Sequence, residues 1–179
     1  NNQPQGWRPL IRGKNINRYC IQNANEFVNY GEWLAAPRDP NIFRGERIVI
    51  RRTDDIIRGT FISDNSVCVN SCHVLIPNNR NIIIFLLALI NSKLIQWVFE
   101  IKNPQMIGKV FAEIKVAYVE NLPVKLPSDY QAINVLVIQI LNAKQSNPNA
   151  DTTALEKQID QLVYQIYGLT EEEIKIVEN

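Results

Sequence analysis

The stretch from Ile82 to Phe99 constrains this chain more than any other. It is the most apolar segment, interrupted only by Asn91, Ser92, Lys93 and Gln96. Phe85, Leu86, Leu89, Ile90, Leu94, Trp97 and Val98 recur at three- and four-residue spacing. That period predicts a helix from Arg80 to about Lys102. A bilayer helix needs roughly 20 mostly apolar residues, and the polar interruptions fall inside that length. The segment therefore reads as a helix buried in a protein core, not as a membrane span. Asn103-Pro104 ends it, because the residue before proline disfavours the α region.

Short β-type runs precede this helix. Arg47-Ile-Val-Ile-Arg-Arg52 is branched and apolar between charges. Ile56 to Ile62, Val67 to Val69 and His73 to Ile76 follow, with Asp54-Asp55 as a turn. Their close spacing predicts an antiparallel sheet. The first third reads as loop, with a turn at Arg12-Gly13-Lys14 because glycine tolerates positive φ. Lys109 to Val119 is expected to return as strand.

Beyond Pro127 the pattern is purely helical. Ser128 with Gln131, Thr153 with Glu156 and Thr170 with Glu173 each fit a capping box. Leu155, Ile159, Leu162, Val163 and Ile166 form one stripe, and Gly168 suits the left-handed position after that helix. The expected architecture is α+β. A small, mainly antiparallel sheet with a buried helix occupies residues 1–127, and a helical hairpin with a short terminal helix occupies 128–179.

The chain has 179 residues, 46% of them hydrophobic and 21% charged, which is enough apolar material for a core and argues against disorder. It begins at Asn1 and its only methionine is Met106, so it is expected to be a piece of a longer protein. No apolar segment follows the polar start, so no signal peptide is expected. Three cysteines, Cys20, Cys68 and Cys72, are an odd count that favours a reducing cytoplasm over a disulfide framework. The net charge of +1 hides a division. Residues 1–127 carry 16 Lys and Arg against 10 Asp and Glu; residues 128–179 carry 3 against 8. A basic body with an acidic tail points to an anionic partner for the body. Ten of the sixteen cations are arginines, whose planar fork suits phosphates and guanine edges.

Catalytic and metal patterns are thin. Asp54 and Asp55 are adjacent, so on a strand they would face opposite sides and could not share Mg²⁺; a turn explains them better. Cys68, Cys72 and His73 lack an evident fourth zinc ligand, and buried thiols are the expected state. His73 has no Ser or Cys partner for nucleophilic catalysis.

The segment from Asn149 to Ile174 closely resembles the tail of bacterial DNA restriction–modification proteins: adenine methyltransferases, type IIG fusions of methyltransferase with endonuclease, and specificity subunits. The resemblance runs upstream in the family's order. Leu10 to Tyr19, Tyr30-Gly-Glu-Trp-Leu-Ala35 with Pro37-Arg38, Arg47 to Thr53, Val69-Asn-Ser-Cys-His-Val74, Leu87 to Leu94 and Gly108 to Lys115 are each similar to a family block. The chain is identified as the family's target-recognition domain with its C-terminal helices. That resemblance implies a domain that reads a short sequence in double-stranded DNA. A separate upstream methyltransferase domain of the same polypeptide would bind S-adenosylmethionine and methylate adenine N6 on a flipped base. A fused nuclease would add Mg²⁺. The methyltransferase's Asn-Pro-Pro-Tyr-type motif has only Asn103-Pro104-Gln105-Met106 as a counterpart here, and no glycine-rich cofactor loop follows a strand. No catalytic residue, cofactor site or metal site is expected in this chain.

The DNA contacts are expected from distributed groups: Arg12 and Lys14 beside Gly13, Arg51 and Arg52 on a strand, Asn70 and Ser71 in a loop, His73, and Lys109 after Gly108. Cations position the duplex on its phosphates, and polar side chains read base edges. The acidic tail is expected to stay off the DNA. The alternative reading is a protein-interaction or assembly module held by the helical hairpin, with incidental DNA affinity.

Overall fold

The computed structural model describes residues 5–109 and 112–179. Strands and helices are segregated along it. The strands come first: β1 (Arg8–Ile11), β2 (Ile16–Asn17), β3 (Cys20–Ile21), β4 (Glu26–Val28), β5 (Arg47–Arg51), β6 (Gly59–Ile62), β7 (Val67–Cys68) and β8 (Cys72–Leu75). The α-helices follow: α1 (Ile83–Asn91), α2 (Lys93–Lys102), α3 (Val116–Glu120), α4 (Gln131–Ser146), α5 (Thr153–Tyr167) and α6 (Glu171–Glu178). This is an α+β fold, as expected from the sequence.

The strands form three small sheets, ordered β4-β1-β7, β2-β3 and β6-β5-β8. All pairings are antiparallel except β1 with β7. β5 is central in its sheet, and its Ile48-Val49-Ile50 run is fully buried because both faces are covered. Ile48 and Ile50 point with Phe61 and Leu75 toward the helices. Val49 points with Ile62 and Val74 toward a second core that holds Ile11, Ile16, Phe43, Val67, Cys68 and Cys72. One alternating strand thus joins two hydrophobic clusters.

The expected single helix from Arg80 to Lys102 is two, bent by 64° at Ser92. Asn91 ends α1 by exchanging two hydrogen bonds of 3.0 Å with the backbone of Gly59, replacing a missing strand neighbour. Ser92 then turns extended and its hydroxyl accepts from the Ile95 amide, capping α2. The carboxylate of Asp160 accepts from the Lys93 amide at 2.9 Å. The polar interruption is therefore a joint whose bonds go to residues distant in sequence. Among the described residues no single helix is long and apolar enough to cross a membrane.

The C-terminal helices cover what α1 and α2 leave open. Ile133, Val137 and Ile140 of α4, with Ile159, Val163 and Tyr164 of α5, join the same core as Phe85, Leu87, Leu89 and Phe99. Tyr130 stacks on Phe85 with ring centroids 5.3 Å apart. Gly168 ends α5 at φ 74°, and Thr170 with Glu173 forms the expected capping box of α6. The other two expected boxes are different caps. Asp129 accepts from the Gln131 amide and Asp151 from the Thr153 amide, while Thr152 donates to Glu156. Aspartate two residues ahead of the first helical amide closes the turn more readily than the serine or threonine nearby.

The first third departs most from expectation. It contains four strands where loop was expected, each too short to show a period of two and mostly paired across long sequence distance. Among the described residues, the strand expected over Lys109 to Val119 is not formed. Its residues 110 and 111 lie outside the described ones, Glu113 makes only an isolated bridge to Thr53, and α3 begins at Val116.

Candidate nucleic-acid interface

The loop 69–71 joins β7 and β8, which belong to different sheets, and three separate chain segments hold it. The Gly13 amide donates to the Ser71 hydroxyl at 2.8 Å. The Arg52 amide donates to the Ser71 carbonyl at 3.0 Å, and the Arg52 guanidinium to the Asn70 carbonyl at 3.1 Å. The Arg38 guanidinium reaches the Cys72 carbonyl at 3.2 Å while lying over the Phe43 ring. Gly13 is not in a positive-φ conformation, contrary to the expectation for its turn. It is needed for close approach, since a Cβ there would sit 2.5 Å from the Ser71 carbonyl oxygen.

Beside this loop opens a cleft of about 320 Å³ lined by Arg38, Arg52, Asn70, His73, Glu113 and Lys115, among others. Its charged groups are three cations and one carboxylate. Arg52 grips Glu113 through Nε at 3.0 Å and Nη2 at 2.5 Å, and holds that carboxyl below the usual range. Residues 112–115 are brought to the cleft by the Ile114 amide, which donates to the Arg52 carbonyl at 2.8 Å. The His73 ring meets the Ile114 carbonyl through Nε2 at 2.6 Å, which requires the proton on that nitrogen.

The structure sorts the expected contact residues. Arg52, Asn70, Ser71, His73 and the Arg12–Lys14 turn gather around one loop. Lys14 is exposed there. Arg12 is tied to Glu26 by a two-pronged pair of 2.7–3.0 Å, which holds Glu26 low and Arg12 high in pKa. Arg51 is turned away: it bonds the Thr53 carbonyl at 2.9 Å and lies 3.4 Å from Asp54. Lys109 is exposed, and no described bond of its side chain links it to the cleft. Arg38 and Lys115 belong to the cleft although sequence reasoning did not select them. Both stood inside family-like blocks, but only folding shows that those blocks meet.

The arginine excess overstates the free cationic surface. Arg47 is wholly buried, donating to the carbonyls of Gly45, Asp64 and Ser66 at 2.7–3.0 Å. Arg8 bonds the Asn65 carbonyl and lies over Tyr30 and Phe43. Arg58 and Arg51 flank the nearly buried Asp54, whose carboxyl burial pushes up against their attraction. Asp54 thus completes a turn. Cys68 and Cys72 are free, buried thiols beneath the loop. Cys72 points to the opposite face from His73, and no group of three or more metal-ligating residues occurs among the described ones. Asn103 is buried and its amide donates to the Phe99 carbonyl at 2.9 Å, closing α2.

Comparison with known proteins bears on the fold and the family. None of the curated proteins matches the chain. A solved structure of the type IIL restriction–modification enzyme MmeI in complex with DNA has the same fold, with a TM-score of 0.64 at 12% sequence identity. The match covers 93% of this chain and 28% of MmeI, so this chain spans well under a third of that protein's length. The family model described as the TaqI-like C-terminal specificity domain matches residues 8–124, which includes every segment that builds the loop and its cleft. The chain belongs to the family of TaqI-like C-terminal specificity domains, the target-recognition part of restriction–modification enzymes.

Proposed function

We propose that this chain reads a short sequence in double-stranded DNA and positions the catalytic part of a restriction–modification enzyme upon it. One observation carries the reading. In a specificity-domain fold, Arg38, Arg52, Asn70, His73 and Lys115 line a single cationic cleft, and the Arg12–Lys14 turn is bonded to the adjoining loop 69–71 through the Gly13 amide. Lys14, Arg38 and Lys115 supply positive charge for phosphates, and Asn70 supplies donors and an acceptor for a base edge. The acidic helices α5 and α6 lie against α2, and none of their residues lines this cleft.

The catalytic partner in this reading is an S-adenosylmethionine-dependent adenine-N6 methyltransferase, upstream in the same polypeptide. It flips the target adenine out of the duplex, and an endonuclease fused there would use Mg²⁺. The cofactor belongs to that domain, because this chain offers no glycine-rich loop after a strand and its Asn103 is spent on a helix end. The setting is the cytoplasm of a bacterium, where three unpaired thiols persist.

The test is binding of the full-length protein to a random duplex pool at increasing salt. Affinity is expected to fall steeply between about 50 and 200 mM, and sequencing of the retained duplexes should return one short motif. Binding that ignores salt, or no enrichment, would refute the reading.

A further inference from the structure

We infer that Glu113, an acidic residue on a face proposed to meet DNA, is a positioning residue for sequence readout by Asn70. The inference rests on the DNA reading above. A carboxylate beside phosphates should repel them, so its place in the cleft needs a reason. The geometry supplies one. Arg52 has three kinds of donor nitrogen, and Glu113 takes two of them, Nε at 3.0 Å and Nη2 at 2.5 Å. That grip fixes the plane of the guanidinium and aims Nη1 at the Asn70 carbonyl, 3.1 Å away. The main chain agrees with the side chains. Residues 52 and 71 share a backbone bond, as do 114 and 52, and Glu113 bridges Thr53.

On the other side, Ser71 is locked through its hydroxyl and carbonyl by Gly13 and Arg52. The backbone of residues 70 and 71 is therefore held from both sides, while Asn70 itself is exposed. No hydrogen bond of its carboxamide occurs among the described residues. A carboxamide carried on a backbone held this way suits the adjacent donor and acceptor of an adenine edge in the major groove. Arg52 and Ser71, expected from sequence to touch DNA, act instead by holding the loop. Preorganisation of this kind favours the correct sequence over others, because the loop need not be ordered at the moment of binding.

The experiment measures Kd of the full-length protein for its selected duplex and for an unrelated duplex of equal length. Glu113→Ala is expected to reduce the ratio of the two affinities about tenfold, the lower end of what one base contact contributes. Glu113→Gln, which keeps an oxygen to accept from Arg52, should retain most of the ratio. Asn70→Ala should lose the same discrimination, and adding Glu113→Ala to it should cost nothing more, since both act on one contact. Thermal melting of each variant checks folding, and Glu113 is exposed enough for replacement to leave it intact. If Ala and Gln variants both tighten binding to both duplexes equally, Glu113 is only a repulsive charge and the inference fails while the DNA reading stands. Independent, additive losses from Asn70→Ala and Glu113→Ala would also overturn it. If the unaltered protein binds neither duplex in a salt-sensitive way, the DNA reading itself fails.

Discussion

The strand-rich half and the helical half of this domain are built by different forces. The helical half is held by apolar burial: Phe85, Leu87, Leu89, Phe99, Val137 and Val163 are essentially inaccessible, and each lies on a long helix face. The strand-rich half has strands of two to five residues, and much of its order comes from side chains bonded to distant backbone. Arg47, Arg38, Arg52, Asn91 and Ser71 each fix a carbonyl or amide from another segment. A greasy core tolerates exchange among similar shapes. A polar scaffold does not, because a missing donor strands buried acceptors. The candidate interface lies in the polar half, where loops are held at defined positions by directional bonds.

The contrast breaks most visibly at Arg47. Arg47→Ala removes a wholly buried side chain and leaves three carbonyls without their donor, the Ser66 one buried, and should cost on the order of 4 kcal/mol by urea denaturation. Arg52→Ala, five residues along the same chain and partly exposed, should cost under about 1 kcal/mol. Equal losses would mean that burial of the guanidinium does not decide how much such a bond holds the strand-rich half together.

Asp160 tests a polar group inside the helical half. Burial raises its carboxyl to about 6 in the folded protein, partly opposed by the Lys93 amide. The unfolded chain ionises near 4. Between those values the unfolded state releases its proton first, so this group's contribution to stability falls as pH rises from about 4 to 6 and stays low above. Asp160→Asn keeps an acceptor for Lys93 and should gain up to about 3 kcal/mol at pH 7, and nothing at pH 3.5. Melting temperatures across that range show it as a flattened profile.

Gly13→Ala probes the joint between the Arg12 turn and the loop. Its Cβ would meet the Ser71 carbonyl, so a loss of about 2 kcal/mol is expected, with sequence discrimination falling alongside. The smallest effect is electrostatic. Replacing Arg12 and Lys14 together by alanine should weaken binding to all duplexes alike, by about tenfold, and reduce the salt slope by about 2. Loss at one base position only would move this turn from positioning to readout. The Arg12 share should be the lesser one, since its guanidinium is already engaged by Glu26.

Legibility followed the same division. The periodic run from Arg80 to Lys102, the stripe of α5 and the Thr170 cap were readable because helical signals repeat within a few residues. The bend at Ser92 was not, because its cause is the pairing of Asn91 with Gly59 and of the Lys93 amide with Asp160. β5 was readable as a branched, apolar run between charges. β1 to β4 were not, since two to four residues carry no period and β1 finds β7 some 57 residues on. At the interface, Asn70, Ser71, Arg52 and His73 were legible as candidates by residue type and block. Their roles were not: Arg51 points to a turn, and Ser71 and Arg52 hold the loop. Arg38 and Lys115 needed the fold to bring them in.

The sequence by itself determined that this chain builds an α+β domain around an apolar helix, carries its net positive charge ahead of residue 128, and resembles a recognition domain. Those properties live in composition, short-range period and ordered blocks. Only the tertiary structure decided which arginines are structural, where the helix breaks, and that residues 13, 52, 70 and 113 form one assembly. Hydrogen-bond direction and the sign of a local field depend on atoms brought together from distant positions, and no local pattern encodes that meeting.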